Sequence, residues 1–484
     1  MPIFALPSPY GIGTLGKASR DFVDFLEASR QAWWQILPVG PTSYGDSPYQ
    51  SPSTHAGNPY FIDLDILIED GLLEQSEIDS LYWGDNPTSI DYGALYENRY
   101  PLLKIACDRG WERDREEISA FQEENEYWLF DYALFMALKR HFGMRSWLEW
   151  PDEAIRLRNP DSIKYYSSLL ADDIRLFTYI QFLFFKQWNA LREYAHAHSV
   201  GIIGDLPIYV ALDSVDVWAS PNNFQLNEKG YPTEVAGVPP DNFTADGQLW
   251  GNPLYDYEVM HQNGYDWWIK RIDGASKLYD VVRIDHFRGF ESFWAVPYGE
   301  ATAKNGRWVK GPGMSLISVL KEKFPNISFI AEDLGYPSPE VVKMLDDSSF
   351  PGMKVLEFAF DDENNDINLP HVYHRNTVCY TGTHDNDTLK GWLDGLEPEK
   401  LKRAVDYFGL NGDEGYLFGI IRGGMSSISR LFVAQLQDYL GLPNEARINT
   451  PGTKEGNWRF RITKGQIPEN LSEKIAHITK IYNR

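Results

Sequence analysis

Three short apolar runs in this chain each end on a carboxylate, and that recurrence restricts the fold more than any other feature of the sequence. Tyr279 to Ile284 leads into Asp285, within Arg283-Ile284-Asp285-His286-Phe287-Arg288-Gly289. Ile327 to Ile330 leads into Ala331-Glu332-Asp333-Leu334-Gly335, and Thr377 to Tyr380 leads into Thr383-His384-Asp385-Asn386-Asp387. β-branched and apolar runs of this length read as buried strands. Asp285 and Glu332 lie 47 residues apart, and Glu332 and Asp385 lie 53 apart. Such gaps hold one or two strand–loop–helix units of a barrel, whose strand C-termini converge on a single pocket. Two carboxylates flanking a bond are what glycoside chemistry requires. A third, beside a His, would grip sugar hydroxyls.

The same alternation runs through the rest of the chain. Strand-like runs recur at Trp33 to Leu37, Gly201 to Val210 (broken by Pro207), Met353 to Phe360 and Leu431 to Gln435. Ala18 to Ser29 has helical spacing, with Phe22, Val23, Phe25 and Leu26 on one face. A short opening strand near Ile3 to Leu6 brings the strand count to eight. The expected fold is therefore α/β, a (β/α)8 TIM barrel with helical and lid insertions and no separate C-terminal β domain. The expected layout is 1–68 as the start of the barrel, 69–172 as a mainly helical insertion, and 173–484 as the remainder. Within that remainder, about 213–265 is rich in Pro, Gly, Asn and aromatics, follows a strand, and reads as a lid.

Composition excludes several function classes. The chain has 484 residues and a formal charge of −24, so a polyanionic nucleic acid is not an expected partner. No apolar run approaches the ~20 residues of a membrane span. Met1-Pro2-Ile3-Phe4 does not read as a signal peptide. Cys107 and Cys379 provide no disulfide framework, which suits a reducing compartment and predicts a cytoplasmic protein. Aromatics reach 14%, including 16 Trp, and those in loops would suit flat sugar faces.

Three other motifs have plainer readings. Gly11-Ile12-Gly13-Thr14-Leu15-Gly16 matches the dinucleotide fingerprint as a pattern, but no long strand precedes it and no acidic residue ends a second strand, so a tight turn into a helix is expected. His196 and His198 fall on different helix faces and do not form a metal site. Asp361-Asp362-Glu363 reads as a solvated loop, with Asp361 just beyond a strand end and within reach of a substrate.

Longer motifs carry a resemblance. Leu6 to Gly16, Trp33 to Ser51, Ala56 to Leu64, Gly204 to Ala211, Gly237 to Tyr255, the three carboxylate motifs, Asn449 to Thr453 and Asn457 to Ile462 together resemble the 4-α-glucanotransferases (amylomaltases or disproportionating enzymes, glycoside hydrolase family 77), relatives of the α-amylases. The resemblance implies Asp285 as nucleophile, Glu332 as general acid/base and Asp385 as transition-state stabiliser. Arg283, on the same side of its strand as Asp285, is expected to keep that carboxylate ionised at a low pKa, while burial and the Asp285 charge raise Glu332. His384, Tyr49 and Asp205 would line the same sugar subsite. Phe243, Gln248 and Trp250 would hold the glucan under the lid. Asn449 and Trp458 would serve outer subsites, and Tyr44 a secondary glucan groove.

The implied partners are maltooligosaccharides, amylose or glycogen-derived glucans, and glucose as acceptor. No metal or organic cofactor is called for, since carboxylates do the bond chemistry. Two departures from the family pattern stand out: the chain starts inside the first barrel strand, and Asn242 stands where many members have an aromatic. An α-amylase-type hydrolase uses the same carboxylates with water as acceptor, and a non-catalytic glucan-binding barrel is the remaining alternative.

Overall fold

The computed structural model describes residues 1–43, 45–240, 244–335, 338–360, 366–453 and 455–484. Eleven strands occur among them: β1 (Trp33–Gln35), β2 (Gly201–Leu206), β3 (Glu234–Val238), β4 (Gln248–Pro253), β5 (Val281–Ile284), β6 (Ser292–Pro297), β7 (Arg307–Lys310), β8 (Ser328–Ala331), β9 (Gly352–Val355), β10 (Thr377–Tyr380) and β11 (Leu431–Val433). Seven of these are parallel and form two sheets, ordered β1-β2-β5-β8 and β11-β10-β9. The runs expected from sequence are these strands, shortened where chemistry demands. β2 stops at Leu206 because Pro207 has no N–H to offer a ladder. After Val355 the chain turns into a 3-10 helix, Leu356–Phe358.

The two parallel sheets face a common interior. Ala331 N donates to Pro351 O at 2.9 Å, joining the end of β8 to the approach to β9. Ile203, Val281, Ile330, Met353, Val355, Val378 and Tyr380, drawn from both sheets, pack as one apolar cluster. Tyr380 Oη donates to Gln35 Oε1 at 3.0 Å, spanning from β10 to β1. Helices connect several of the strands, including Asp266–Leu278 before β5, Met314–Lys323 before β8 and Pro339–Ser348 before β9. The chain is thus an α/β protein built on parallel strands.

One expected strand is not there. Ile3–Ala5 forms a 3-10 turn in place of a strand, buried but unpaired with any sheet. Among the described residues β1 and β11 are not hydrogen-bonded to each other, and a cavity of about 1060 Å3 lies between them. The Gly11–Gly16 motif is the expected tight turn: a Cβ at Gly13 would fall 1.8 Å from Ile3 O, so close backbone packing excludes a side chain there. The turn delivers the helix Lys17–Ala28, which buries Phe22, Val23 and Leu26.

From Leu64 to Ala197 the elements are helices and 3-10 turns. The longest helix among the described residues, Ala171–Ala197, supports residues 57–63 by an unusual device. Gly57 N donates to Gln181 Oε1 at 2.7 Å, and Gln181 Nε2 donates back to Gly57 O at 3.0 Å. Two turns on, Asp63 N and O make the same pair of bonds with Gln187, at 2.7 and 3.1 Å. Each side-chain amide satisfies both backbone groups of one residue, as a neighbouring strand would. The approach is so close that a Cβ at Gly57 would lie 1.9 Å from the Phe184 ring.

The 213–265 segment holds more order than its composition implied. β3 and β4 lie inside it and join β6 and β7 in an antiparallel sheet ordered β4-β3-β6-β7. The segment is therefore stitched to residues 292–310, a partnership between distant segments that local composition does not encode.

The glutamine brace gives a stability prediction. Gln181→Leu keeps the volume but strands two buried backbone groups, so urea unfolding should show a loss of about 2–4 kcal/mol. Unchanged stability would mean that the 57–63 segment holds its path without the brace.

Candidate active site

Register sets where the carboxylates emerge. Asp205 pairs with Arg283 across β2 and β5, and Ile284 pairs with Ala331 across β5 and β8. The ladder continues one residue past each strand: Asp285 N donates to Leu206 O and Glu332 N to Ile284 O, both at 3.0 Å. The backbones of Asp285 and Glu332 are thus held side by side by the sheet itself.

Beneath them lies a buried charge cluster. Arg283 Nη1 donates to both oxygens of Asp205, at 2.6 and 2.7 Å, and to Asp285 Oδ1 at 3.0 Å. The side chains of Arg283 and Asp205 are 4% and 1% exposed. Tyr49 Oη adds a hydrogen bond to Asp205 Oδ2 at 2.7 Å. Arg283 thus sits on the side of its strand that faces Asp285, as the two-residue spacing requires.

After Asp285 the backbone enters the left-handed region at His286, φ 50°. For a residue with a Cβ this costs about 1–2 kcal/mol. The kink points two successive amides at the neighbouring strand end: His286 N donates to Glu332 Oε2 at 2.7 Å and Phe287 N to Glu332 O at 2.9 Å. Leu334 N donates to Glu332 Oε1 at 2.7 Å. Both oxygens of Glu332 are therefore aimed by backbone.

Asp385 stands on the loop after β10. Asn449 Nδ2 donates to its Oδ1 at 2.6 Å, and His384 Nε2 lies 3.2 Å from the same oxygen. Tyr49 stacks on the His384 ring, with centroids 5.0 Å apart and planes inclined by 20°. Trp458 packs on both rings at 5.8 Å. Trp250 meets the His286 ring edge-on at 4.9 Å and donates to Gln248 Oε1 at 3.1 Å.

These groups surround a cleft of about 550 Å3 whose walls include Tyr49, Gln248, Trp250, Asp285, His384, Asp385, Asn449 and Trp458. Asp205 and Arg283 lie under the floor and Glu332 beside Asp285, linked as described. Of the residues expected from sequence, Tyr44, Phe243 and Asp361 lie outside the described residues. The cleft also takes in residues that sequence reasoning did not select. Gln50 donates to Asn252 at 3.3 Å across one wall, and Thr450, Thr453 and Asn457 form another. All five sit inside motifs that carried the resemblance, but only the folded chain brings them together. The larger cavity between β1 and β11 has no carboxylate side chain in its lining among the described residues.

The carboxyl groups differ in proton affinity. Glu332 is pushed up to about 7, by burial and then by the Asp285 charge, against the pull of Arg283 and the two amides. Asp285 is also raised, to about 6. A low value held by Arg283 was expected. Burial outweighs the guanidinium, whose charge is shared with Asp205, and the Asp205 charge itself disfavours a second anion. For Asp385 burial acts upward, but the His384 charge and the hydrogen bonds from His384 and Asn449 prevail and take it down to about 2. Burial works against the charged form of His384 too, yet Asp385 raises its pKa overall. The arrangement offers a buried pair of carboxyls with raised proton affinity, which can share one proton near neutral pH, and a third that stays ionised. That set can protonate a leaving oxygen and attack the carbon it leaves.

Comparison with known proteins agrees with this reading. The family model described as 4-alpha-glucanotransferase, glycoside hydrolase family 77, matches residues 1–466. A 4-alpha-glucanotransferase of Clostridium butyricum is 48% identical, covering 100% of both chains. One from Streptococcus pneumoniae is 45% identical over 100% of this chain and 96% of its own length. The structure of an amylomaltase from Streptococcus agalactiae in complex with acarbose superposes with a TM-score of 0.98 at 41% identity, covering 100% of this chain and 98% of that one. A family match of this length, relatives of this identity and a shared fold lead to one conclusion: the chain belongs to the 4-alpha-glucanotransferase family.

Proposed function

We propose that the cleft carries out 4-α-glucan transfer by a double displacement in which Asp285 is the nucleophile, Glu332 the acid and then the base, and Asp385 the stabiliser of the transition state. The family acts as a glycosyltransferase on α-1,4-glucans. The observation that carries the residue assignment is the buried Asp285–Glu332 pair, with Arg283 hydrogen-bonded to Asp285 and two backbone amides aiming the oxygens of Glu332. Glu332 protonates the glycosidic oxygen while Asp285 attacks the anomeric carbon, giving a β-glucosyl ester and a free reducing-end fragment. The 4-hydroxyl of an acceptor sugar then enters, Glu332 removes its proton, and the ester opens with a second inversion, so configuration is retained. Asp385, ionised beside His384 and Asn449, accepts hydrogen bonds from ring hydroxyls as the sugar flattens.

Tyr49, Trp250 and Trp458 supply the flat apolar faces on which glucose units stack, and Gln248 and Asn449 the polar contacts. Asp205 and Arg283 set the charge beneath the nucleophile. Phe243 would join the lid contacts, Asp361 the sugar subsite and Tyr44 a secondary glucan groove. The seven parallel strands and their common core support a closed barrel, with 69–172 as a helical insertion and 213–265 as a lid on its active face. Maltooligosaccharides are the proposed donors, glucose and glucans from glycogen or amylose the proposed acceptors and sources, and the cytoplasm the proposed location. Among the described residues no helix is long and apolar enough to cross a membrane.

Product analysis with maltotriose tests the reading. Transfer breaks one α-1,4 link for each one made, so glucose and maltopentaose should appear while total reducing ends stay nearly constant. Reducing ends that rise with every cleavage, without longer chains, would assign the cleft to a hydrolase. Asp285→Asn should lose both products by at least about 10^3-fold, since an amide cannot form the ester. Trp250→Ala should lower the ratio of transfer to hydrolysis more than it lowers total cleavage.

The pH profile of kcat/KM tests the proton assignment. The active form has Asp285 ionised and Glu332 protonated. Acid removes the nucleophile as pH falls through about 6, and base removes the proton donor as pH rises through about 7. A narrow bell between these limbs is expected. Asp205→Asn removes a negative charge that raises Asp285, so the acid limb should move to lower pH. A limb that stays in place would mean that the Asp205 charge does not tune the nucleophile.

A further inference from the structure

The 447–458 segment contributes Asn449 and Trp458 to the cleft, yet it contains no helix or strand among its described residues. Its path is fixed by single bonds. Asn449 N donates to His384 O at 3.1 Å, Trp458 N to Ile448 O at 2.8 Å, and Tyr92 Oη to Trp458 O at 2.8 Å. Asn449 Nδ2 adds its bond to Asp385, and Arg447 is a further tether. Its Nε donates to Asn449 O at 2.7 Å, its Nη1 to Asp387 Oδ1, and its Nη2 to the carbonyl of Asp385.

One planar guanidinium therefore fastens three points: the main chain of the third catalytic carboxylate, the main chain of the asparagine that hydrogen-bonds that carboxylate, and the acid two residues further along the same loop. We propose that Arg447 is a positioning residue for glucan transfer, holding Asp385 and Asn449 in one fixed geometry. Arg447 is not part of the cleft wall, so it acts through these two residues and not on the sugar. Its partner Asp387 is 35% exposed and Arg447 itself 22%, so the ion pair adds little to global stability in solvent. What it contributes is alignment. A lysine cannot replace it, because a single ammonium does not reach three acceptors in a fixed fork.

The inference rests on the reading of Asp385 as the stabilising carboxylate, and maltotriose kinetics separate the two. Arg447→Ala should lower kcat about 10- to 100-fold, the cost of a misplacement near 1 Å, with KM little changed and the melting temperature close to that of the parent. Guanidinium ion added to Arg447→Ala should restore part of kcat and should do nothing for Asn449→Ala. The double variant should be no slower than the slower single variant, as expected when two residues act as a unit. Asp387→Asn, which keeps the guanidinium but removes its anchor, should show a smaller loss of kcat and carries the same comparison if Arg447→Ala fails to fold. Unchanged kcat in both Arg447→Ala and Asp387→Asn, or a double variant slowed by the product of the single losses, overturns the inference. Asp385→Ala is the control: retained transfer there overturns the site reading itself, whereas an inactive Asp385→Ala beside a normal Arg447→Ala overturns only the role of Arg447.

Discussion

The Arg283–Asp205 ion pair is the constraint on which the rest of the site depends. Removing one member of a buried pair costs about 3–5 kcal/mol because it leaves a charge without a partner in a medium that cannot solvate it. The pair is therefore expensive to disturb, and everything bonded to it inherits a fixed position. Arg283 reaches Asp285 from below, and Asp205 holds the Tyr49 hydroxyl, which places the Tyr49 ring on His384. His384 in turn faces Asp385. A single buried cation thereby locates groups from four separate stretches of chain, and their order in sequence has no bearing on it.

Burial, and after it the same pair, explain why the proposed nucleophile is not a strongly acidic group. A guanidinium serving Asp285 alone would hold its proton affinity down. Here Asp205 takes two of the three contacts from Nη1 and adds its own negative charge nearby. Both Asp285 and Glu332 are raised, by burial first, so neither is held strongly acidic. A carboxylate held far lower would leave faster from its glucosyl ester but attack more weakly.

Much of this was legible from residue order, and the failures have identifiable causes. The strand-end carboxylates could be read because a β-branched run followed by Asp or Glu is a local signal, and β5, β8 and β10 form where those runs lie. The helical character of about 69–172 was read from its charged, helix-forming composition, and the elements found there are helices and 3-10 turns. Ile3–Ala5 was apolar enough for a strand but became a turn, since pairing depends on a neighbour and not on composition. The pairing of 234–253 with 292–310 was invisible for the same reason. The raised affinity of Asp285 was missed because a two-residue spacing reveals the arginine, whereas the burial of Asp285 and the competition from Asp205, 78 residues before Arg283, arise only in the fold. Arg447 escaped notice because its significance lies entirely in what its donors reach.

The ladder bonds that run past the ends of β5 and β8 have a consequence for how this catalyst adapts. The amides of Asp285 and Glu332 belong to the sheet, so the reacting groups share the stiffness of the core and have little freedom to follow a substrate. The proposed sugar contacts, Tyr49, Trp250 and Trp458, lie on other elements: Trp250 on β4 of the antiparallel sheet, Tyr49 and Trp458 on loops packed against the core. In the proposed mechanism the bond chemistry sits at the strand ends of the parallel sheet, while one wall of the cleft comes from a different sheet. Substitutions in the outer segments can retune which glucans are accepted while the bond-breaking apparatus stays as it is, so selectivity can drift in evolution without passing through inactive intermediates.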